Sequence, residues 1–149
     1  MNKRPILLVD DDENDVLLMQ TAFEDSQLDC PIKSVSDGQE AMEFLEQAVR
    51  ANSLAVLPSA VLLDLNMPRK NGFEVLGWAR NQPRLKGIPF VVLSASIRGQ
   101  DVERAYELGA SAFLVKPSTL DGLTRMLKCL RDWLQTNHFP PGNPWAKGG

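Results

Sequence analysis

Five short apolar runs punctuate the chain, at Ile6–Val9, Ile32–Val35, Ala60–Leu63, Phe90–Leu93 and Ala112–Val115. Four are almost unbroken in apolar character, the pattern of parallel strands covered on both faces. Ile32-Lys33-Ser34-Val35 is more polar and suits a sheet edge. Between the runs the apolar residues recur at helical spacing. Residues 14–26 put Val16, Met19 and Phe23 on one face. In DGQEAMEFLEQAV (37–49), Ala41, Phe44, Leu45, Ala48 and Val49 share a stripe. Asp37 and Glu40 there fit a capping box, with Asp in place of Ser or Thr. Residues 72–81 carry Phe73, Leu76 and Ala79, and residues 99–108 carry Val102, Ala105 and Leu108 before a C′ glycine, Gly109. Residues 119–136 carry Leu123, Leu127, Leu130 and Leu134.

Strict alternation predicts an α/β fold of (βα)5 type, a doubly wound parallel five-stranded sheet with right-handed crossovers. The expected organisation is one domain over residues 1–136 and a Pro/Gly-rich tail, NHFPPGNPWAKGG, over 137–149. RANSLAVLPS (50–59) makes a long connection into the third strand. It and the tail look like additions to a compact core.

Composition narrows the function classes. The chain of 149 residues has a formal charge of −3, so it lacks the basic field that holds nucleic acid or an anionic membrane. No apolar run approaches a membrane span, and Ile6–Val9 is too short for a signal peptide. The expected compartment is the cytoplasm. Cys30 and Cys129 have no His or Cys at ligand spacing and are expected to be unpaired, partly buried thiols. His138, the one histidine, lies in the tail and is expected on the surface rather than as a base.

Two strands end on acids. ILLVDDDEND runs into Asp10, Asp11 and Asp12, and AVLLDLNMPRKNG runs into Asp64. Ligands of open parallel sheets bind beyond the strands' carboxyl ends, where strand order reverses. In the common order 2-1-3-4-5 that crevice lies between the first and third strands, so Asp10, Asp11 and Asp64 converge. Asp12 and Glu13 are explained as helix-start acids; Asp64, which precedes a turn, is not. Clustered carboxylates repel, and a hard divalent cation with oxygen ligands, Mg²⁺, relieves the repulsion. The fourth strand runs into Ser94-Ala95-Ser96 and the fifth into Lys116-Pro117. Carboxylates, a hydroxyl and an ammonium in one crevice are equipment for phosphoryl transfer. No GxxxxGK[ST] loop cradles a nucleotide, so the phosphoryl group comes from another donor and a carboxylate receives it.

VDD after the first strand, LLDLNMPRKNG around the third, LSAS after the fourth and LVKP after the fifth resemble the receiver domain of two-component response regulators. Each motif alone is weak; the four in order, each at a strand end, are specific. The resemblance spans roughly residues 5–136 and implies the flavodoxin-like receiver fold. It implies Asp64 as phosphoacceptor, Asp11 as the main Mg²⁺ carboxylate, Asp10 holding the metal partly through water, and the Asn66 backbone carbonyl as a further ligand. Ser94 is then the switch hydroxyl, Lys116 the lysine on the phosphoryl group, and Lys116–Pro117 a cis peptide. Phe113 takes the aromatic switch position, where it lacks a hydroxyl and would move by packing alone. Asn66 and Ser96 take the positions that tune phosphoryl lifetime.

More narrowly, SVSDGQEAMEFL, the 50–59 loop and the WL of the last helix resemble the single-domain, phytochrome-associated response regulators of cyanobacteria. That implies a histidine kinase of phytochrome type as donor. It also implies a downstream effector or phosphotransfer domain, and pairing of two copies through the fourth helix, fifth strand and fifth helix. Trp133, Phe139 and Trp145 either join such a face or pin the tail to its own domain. A haloacid-dehalogenase-like phosphatase is the enzymatic rival, with Asp10 and Asp12 as its D-x-D pair, but it leaves Asp64 unexplained. A flavin module would place its phosphate where this chain is acidic. A receiver-like docking module that is never phosphorylated is the remaining alternative; the presence of Asp11, Asp64 and Lys116 argues against it.

Overall fold

The computed structural model describes residues 4–51, 56–65, 67, 71–95 and 97–137. The elements follow as β1 (Ile6–Val9), α1 (Glu13–Asp25), β2 (Ile32–Val35), α2 (Gly38–Arg50), β3 (Ala60–Asp64), α3 (Gly72–Arg80), β4 (Phe90–Ser94), α4 (Gly99–Glu107), β5 (Ala112–Val115) and α5 (Leu120–Thr136), with a 3-10 turn at Pro83–Leu85. The strands form one parallel sheet in the order β2-β1-β3-β4-β5. The polar second strand is at an edge, as its composition predicts. β3 and β4 each run one residue further than the apolar pattern, onto Asp64 and Ser94.

Strand alternation sorts the core into two layers. Leu7, Val9, Val61, Leu63, Phe90 and Val92 face α2, α3 and α4, where they meet Ala41, Leu45, Val75, Leu76 and Ala105. Ile6, Leu8, Ala60, Leu62, Val91 and Leu93 face α1 and α5, where they meet Met19, Phe23, Leu123, Leu127, Leu130 and Leu134. Side chains as fully enclosed as Leu127 are each worth about 2–5 kcal/mol against truncation to alanine. Trp133 packs half-buried against this second layer. Phe139, Trp145 and His138 fall outside the described residues, as does the rest of the tail.

Capping follows the sequence closely. Asp37 accepts from the Glu40 amide, and the Glu40 carboxylate reaches back to the Ser36 amide, one residue before the cap amide that a capping box uses. Gly109 adopts φ 104°, open to glycine and strained for other residues. It closes α4 with bonds from Gly109 N to Tyr106 O and from Ala110 N to Ala105 O, a Schellman ending. At the amino edge of the sheet, the Arg80 guanidinium donates to the carbonyls of Leu85, Lys86, Ile88 and Gly109 and to Ser111 Oγ, and stacks on the Phe90 ring.

Three expectations are corrected. The 50–59 connection is not wholly an addition: Leu57 is buried in the core, and Arg4 donates to the Leu57 and Pro58 carbonyls. An apolar side chain within reach of the sheet was drawn into it. Cys129 is exposed rather than partly buried, because it lies on the outer face of α5; both cysteines are free. Among the described residues no peptide bond is cis, so Lys116–Pro117 is trans. The usual trans preference of about 0.5–1 kcal/mol stands there, and Lys116 reaches its partners from that geometry. Among the described residues, no helix is long and apolar enough to cross a membrane.

Candidate functional site

The site forms where β1, β3, β4 and β5 end. Asp10 follows β1, and its amide still donates to Val35 O at 3.2 Å, so the ladder fixes its backbone. Its carboxylate is buried. One oxygen accepts from the Asp12 amide at 3.0 Å and the other from Lys116 Nζ at 2.8 Å. Asp11 is exposed at the mouth. Asp64 is the last residue of β3, with a side chain only 13% exposed. Ser94 ends β4 and is buried. The Lys116 amide donates to Ser94 O at 2.8 Å, which brings the lysine into the crevice.

Lys116 Nζ joins three carboxylates: Asp10 at 2.8 Å, Asp15 at 3.0 Å and Asp64 at 3.4 Å. Burial alone would lower the ammonium's pKa. The hydrogen bonds to Asp10 and Asp15 and the charge of Asp64 outweigh it, so the group titrates above the ordinary lysine range. Asp10, Asp11 and Asp64 each offer a carboxylate oxygen within 4.8 Å of the others. Among the described residues, Asp15 brings the acids gathered around Lys116 and this cluster to four, an excess of negative charge over the one ammonium. Hard oxygen donors at such spacing, with an exposed mouth for water, fit a hard divalent cation.

The far side of the site depends on Gly72. Its amide donates to Leu65 O at 3.1 Å, and α3 begins pressed against the end of β3. A Cβ at Gly72 would stand 2.6 Å from Asp64 O and 2.9 Å from Leu65 Cα. Only glycine allows that approach. A cleft of about 310 Å³ opens beside Asp10 and Asp11, between α1 and β2. A larger cavity of about 550 Å³, lined by Pro5, Ile32, Phe44 and Val56, lies at the amino ends of β1 and β2, away from the carboxylates.

The structure thus gathers Asp10, Asp11, Asp64 and Lys116 and ends the neighbouring strand on Ser94. Phe113 is half-buried in β5, packed against the α2–α3–α4 layer. Asn66 and Ser96 lie outside the described residues. Asp12 accepts from the Asn14 and Asp15 amides as the cap of α1, so it serves the helix and not a D-x-D pair. Asp15 is the participant the sequence reading missed. The signal was present: with Asp12 as cap, Asp15 is the third helical residue, whose side chain points back toward the strand end.

A doubly wound parallel sheet whose carboxyl-end crevice holds three clustered aspartates and a lysine defines a protein of the receiver class. The chain belongs to the response regulator receiver domain family, which it matches over residues 6–128. It is 38% identical to response regulator Rcp1 of Synechocystis sp. over 136 residues, 91% of this chain and 92% of that one. The crystal structure of the Mn²⁺-bound form of Rcp1 superposes with a TM-score of 0.78 at 39% identity, covering 92% of this chain and 99% of that one. The phosphorylated cyanobacterial phytochrome response regulator RcpA superposes at 0.81 with 38% identity, over 93% of this chain and 99% of that one. Response regulator RPA3017, in red light signalling of R. palustris, is 27% identical at a TM-score of 0.81, over 92% of this chain and 98% of that one.

Proposed function

We propose that this chain takes a phosphoryl group onto Asp64 from a histidine kinase and signals through the change that follows. The observation that carries the reading is Lys116 Nζ held 3.4 Å from Asp64 while Asp10, Asp11 and Asp64 cluster beside it. Asp10, Asp11 and Asp64 would hold Mg²⁺, with the Asn66 carbonyl assigned by family resemblance. When bound, the ion supplies positive charge to the transferring phosphoryl oxygens and to the crowded carboxylates. An Asp64 oxygen attacks phosphorus, the P–N bond of the donor phosphohistidine breaks, and the imidazole leaves. Lys116 spreads charge over the phosphoryl oxygens. Water attack on phosphorus later frees the carboxylate. The chain thus serves as a phosphoacceptor that catalyses only its own transfer and reset.

The Ser94 hydroxyl donates to a phosphoryl oxygen, the chain after β4 follows it, and Phe113 fills the vacated space, a population shift driven by charge in the crevice. Asn66 and Ser96 tune how long the acyl phosphate lasts. The readout surface is α4–β5–α5, where Tyr106 and Val115 are exposed. It suits an effector, a phosphotransfer domain or a second copy of the chain. The likeness to the cyanobacterial phytochrome response regulator RcpA supports a phytochrome-type kinase as donor.

The test is incubation with Mg²⁺ and acetyl phosphate, wild type beside Asp64→Asn, read by intact mass. A phosphate-sized gain in the wild type alone, abolished by chelator, is expected. Sustained release of free phosphate would favour the phosphatase reading. Neither gain nor turnover would leave a docking module.

A further inference from the structure

A lysine ammonium has three N–H donors, and Lys116 finds a carboxylate for each, on β1, β3 and α1. The α1 partner, Asp15, is the one whose role the fold does not explain. In a capping box the third helical residue would reach back to the amide of the cap. Here that amide, on Asp12, already donates to Asp10. Asp15 is released from capping and turns to Lys116 instead. Its contact, at 3.0 Å, is shorter than the one Lys116 makes with Asp64, at 3.4 Å. Its side chain is 40% exposed, against 2% for Asp10. The ammonium is therefore held firmly by Asp10 and drawn toward α1 by a contact that water competes for.

We propose that Asp15 is a positioning residue that acts through Lys116, holding its ammonium on the α1 side of the crevice and so restraining phosphoryl transfer to Asp64. The proposal rests on Asp64 being the acceptor. A phosphoryl oxygen arriving at Asp64 needs a donor from an ammonium whose three are already taken. Loss of Asp15 frees one, and Nζ can close on Asp64. A half-exposed ionic contact sets the scale, a gain of about threefold in the phosphorylation rate.

The experiment compares wild type, Asp15→Ala, Asp15→Asn and Glu13→Gln with acetyl phosphate and Mg²⁺. Glu13 is an exposed acid of the same helical turn, and its change controls for lost charge alone. The second readout is the Lys116 ammonium signal of metal-free, ¹⁵N-lysine-labelled protein, assigned by its loss in Lys116→Met. Both Asp15 variants should be phosphorylated about threefold faster than Glu13→Gln, with a shifted or faster-exchanging Lys116 signal. Rates equal to Glu13→Gln, rates slower than wild type, or a faster rate with an unchanged ammonium signal would each overturn the proposal. Absence of phosphorylation in the wild type would instead sink the acceptor reading on which it stands.

Discussion

Replacing Lys116 by methionine tests the electrostatics of the site most directly. The substitution keeps a long flexible stem and deletes the charge that joins β5 to β1, β3 and α1. Asp10 is then a carboxylate with 2% side-chain exposure whose cation is gone. Breaking a buried pair costs about 3–5 kcal/mol. The lower end applies, because Asp15 is 40% exposed and water takes over part of the work. For a chain of this size about 3 kcal/mol corresponds to roughly 6–12 °C in melting temperature. The assay is thermal unfolding of both proteins in chelator near neutral pH, followed by a magnesium titration. The variant should melt earlier by that amount, and saturating Mg²⁺ should narrow the gap, because the crevice that has lost its ammonium binds the ion more tightly and each tenfold in Kd closes about 1.4 kcal/mol. The gap should also stay level as pH rises through the neutral and mildly alkaline range. Lys116 has its pKa raised on folding, so its contribution is complete below its ordinary value of 10.5 and is lost only as pH climbs through the higher folded value. A difference under about 2 °C in chelator, less than about 1 kcal/mol, would refute the charge argument. A gap indifferent to Mg²⁺ would refute the placement of the ion.

Gly72 and Gly77 make a pair on one helix. Gly72→Ala forces a Cβ against the Asp64 carbonyl and should lose about 1–3 kcal/mol in urea unfolding, with slowed labelling by acetyl phosphate. Gly77→Ala meets only Leu108 Cδ2 at 3.6 Å and should gain about 0.5–1 kcal/mol from helix propensity, leaving labelling unchanged. Arg80→Met strips donors from four carbonyls and should destabilise by about 3 kcal/mol in the same urea assay; a loss below about 1 kcal/mol would show those carbonyls satisfied by water.

The fold was legible because four of the five strands are short and apolar and all five alternate with helical spacing, so period and alternation left one architecture. The convergence of Asp10, Asp11, Asp64 and Lys116 was legible for a related reason. A parallel sheet puts every strand's carboxyl end on one edge, and the residue just past each apolar run is thereby placed. Asp15 escaped because its partner is 101 residues away and its local pattern mimics a helix cap. Leu57 escaped because a single apolar residue in a long connection has no period to betray it. The trans geometry before Pro117 is set by balances of under about 1 kcal/mol, which residue type does not reveal.

Arg80 gives the sheet a mechanical polarity. It ties the entries of β4 and β5 to the end of α3, and it binds Gly109 just past the end of α4. The opposite end of α4 starts at Arg98 without a side-chain cap and next to exposed Ile97. The helix resembles a cantilever, clamped at the end remote from the carboxylates and without a side-chain cap at the end beside them. In the proposed switch, a push delivered at Ser94 would act on that end, and a small local displacement would become a tilt of the element about its clamp. The stiffness of that clamp, set far from the chemistry, would then fix how much of such a push reached the surface.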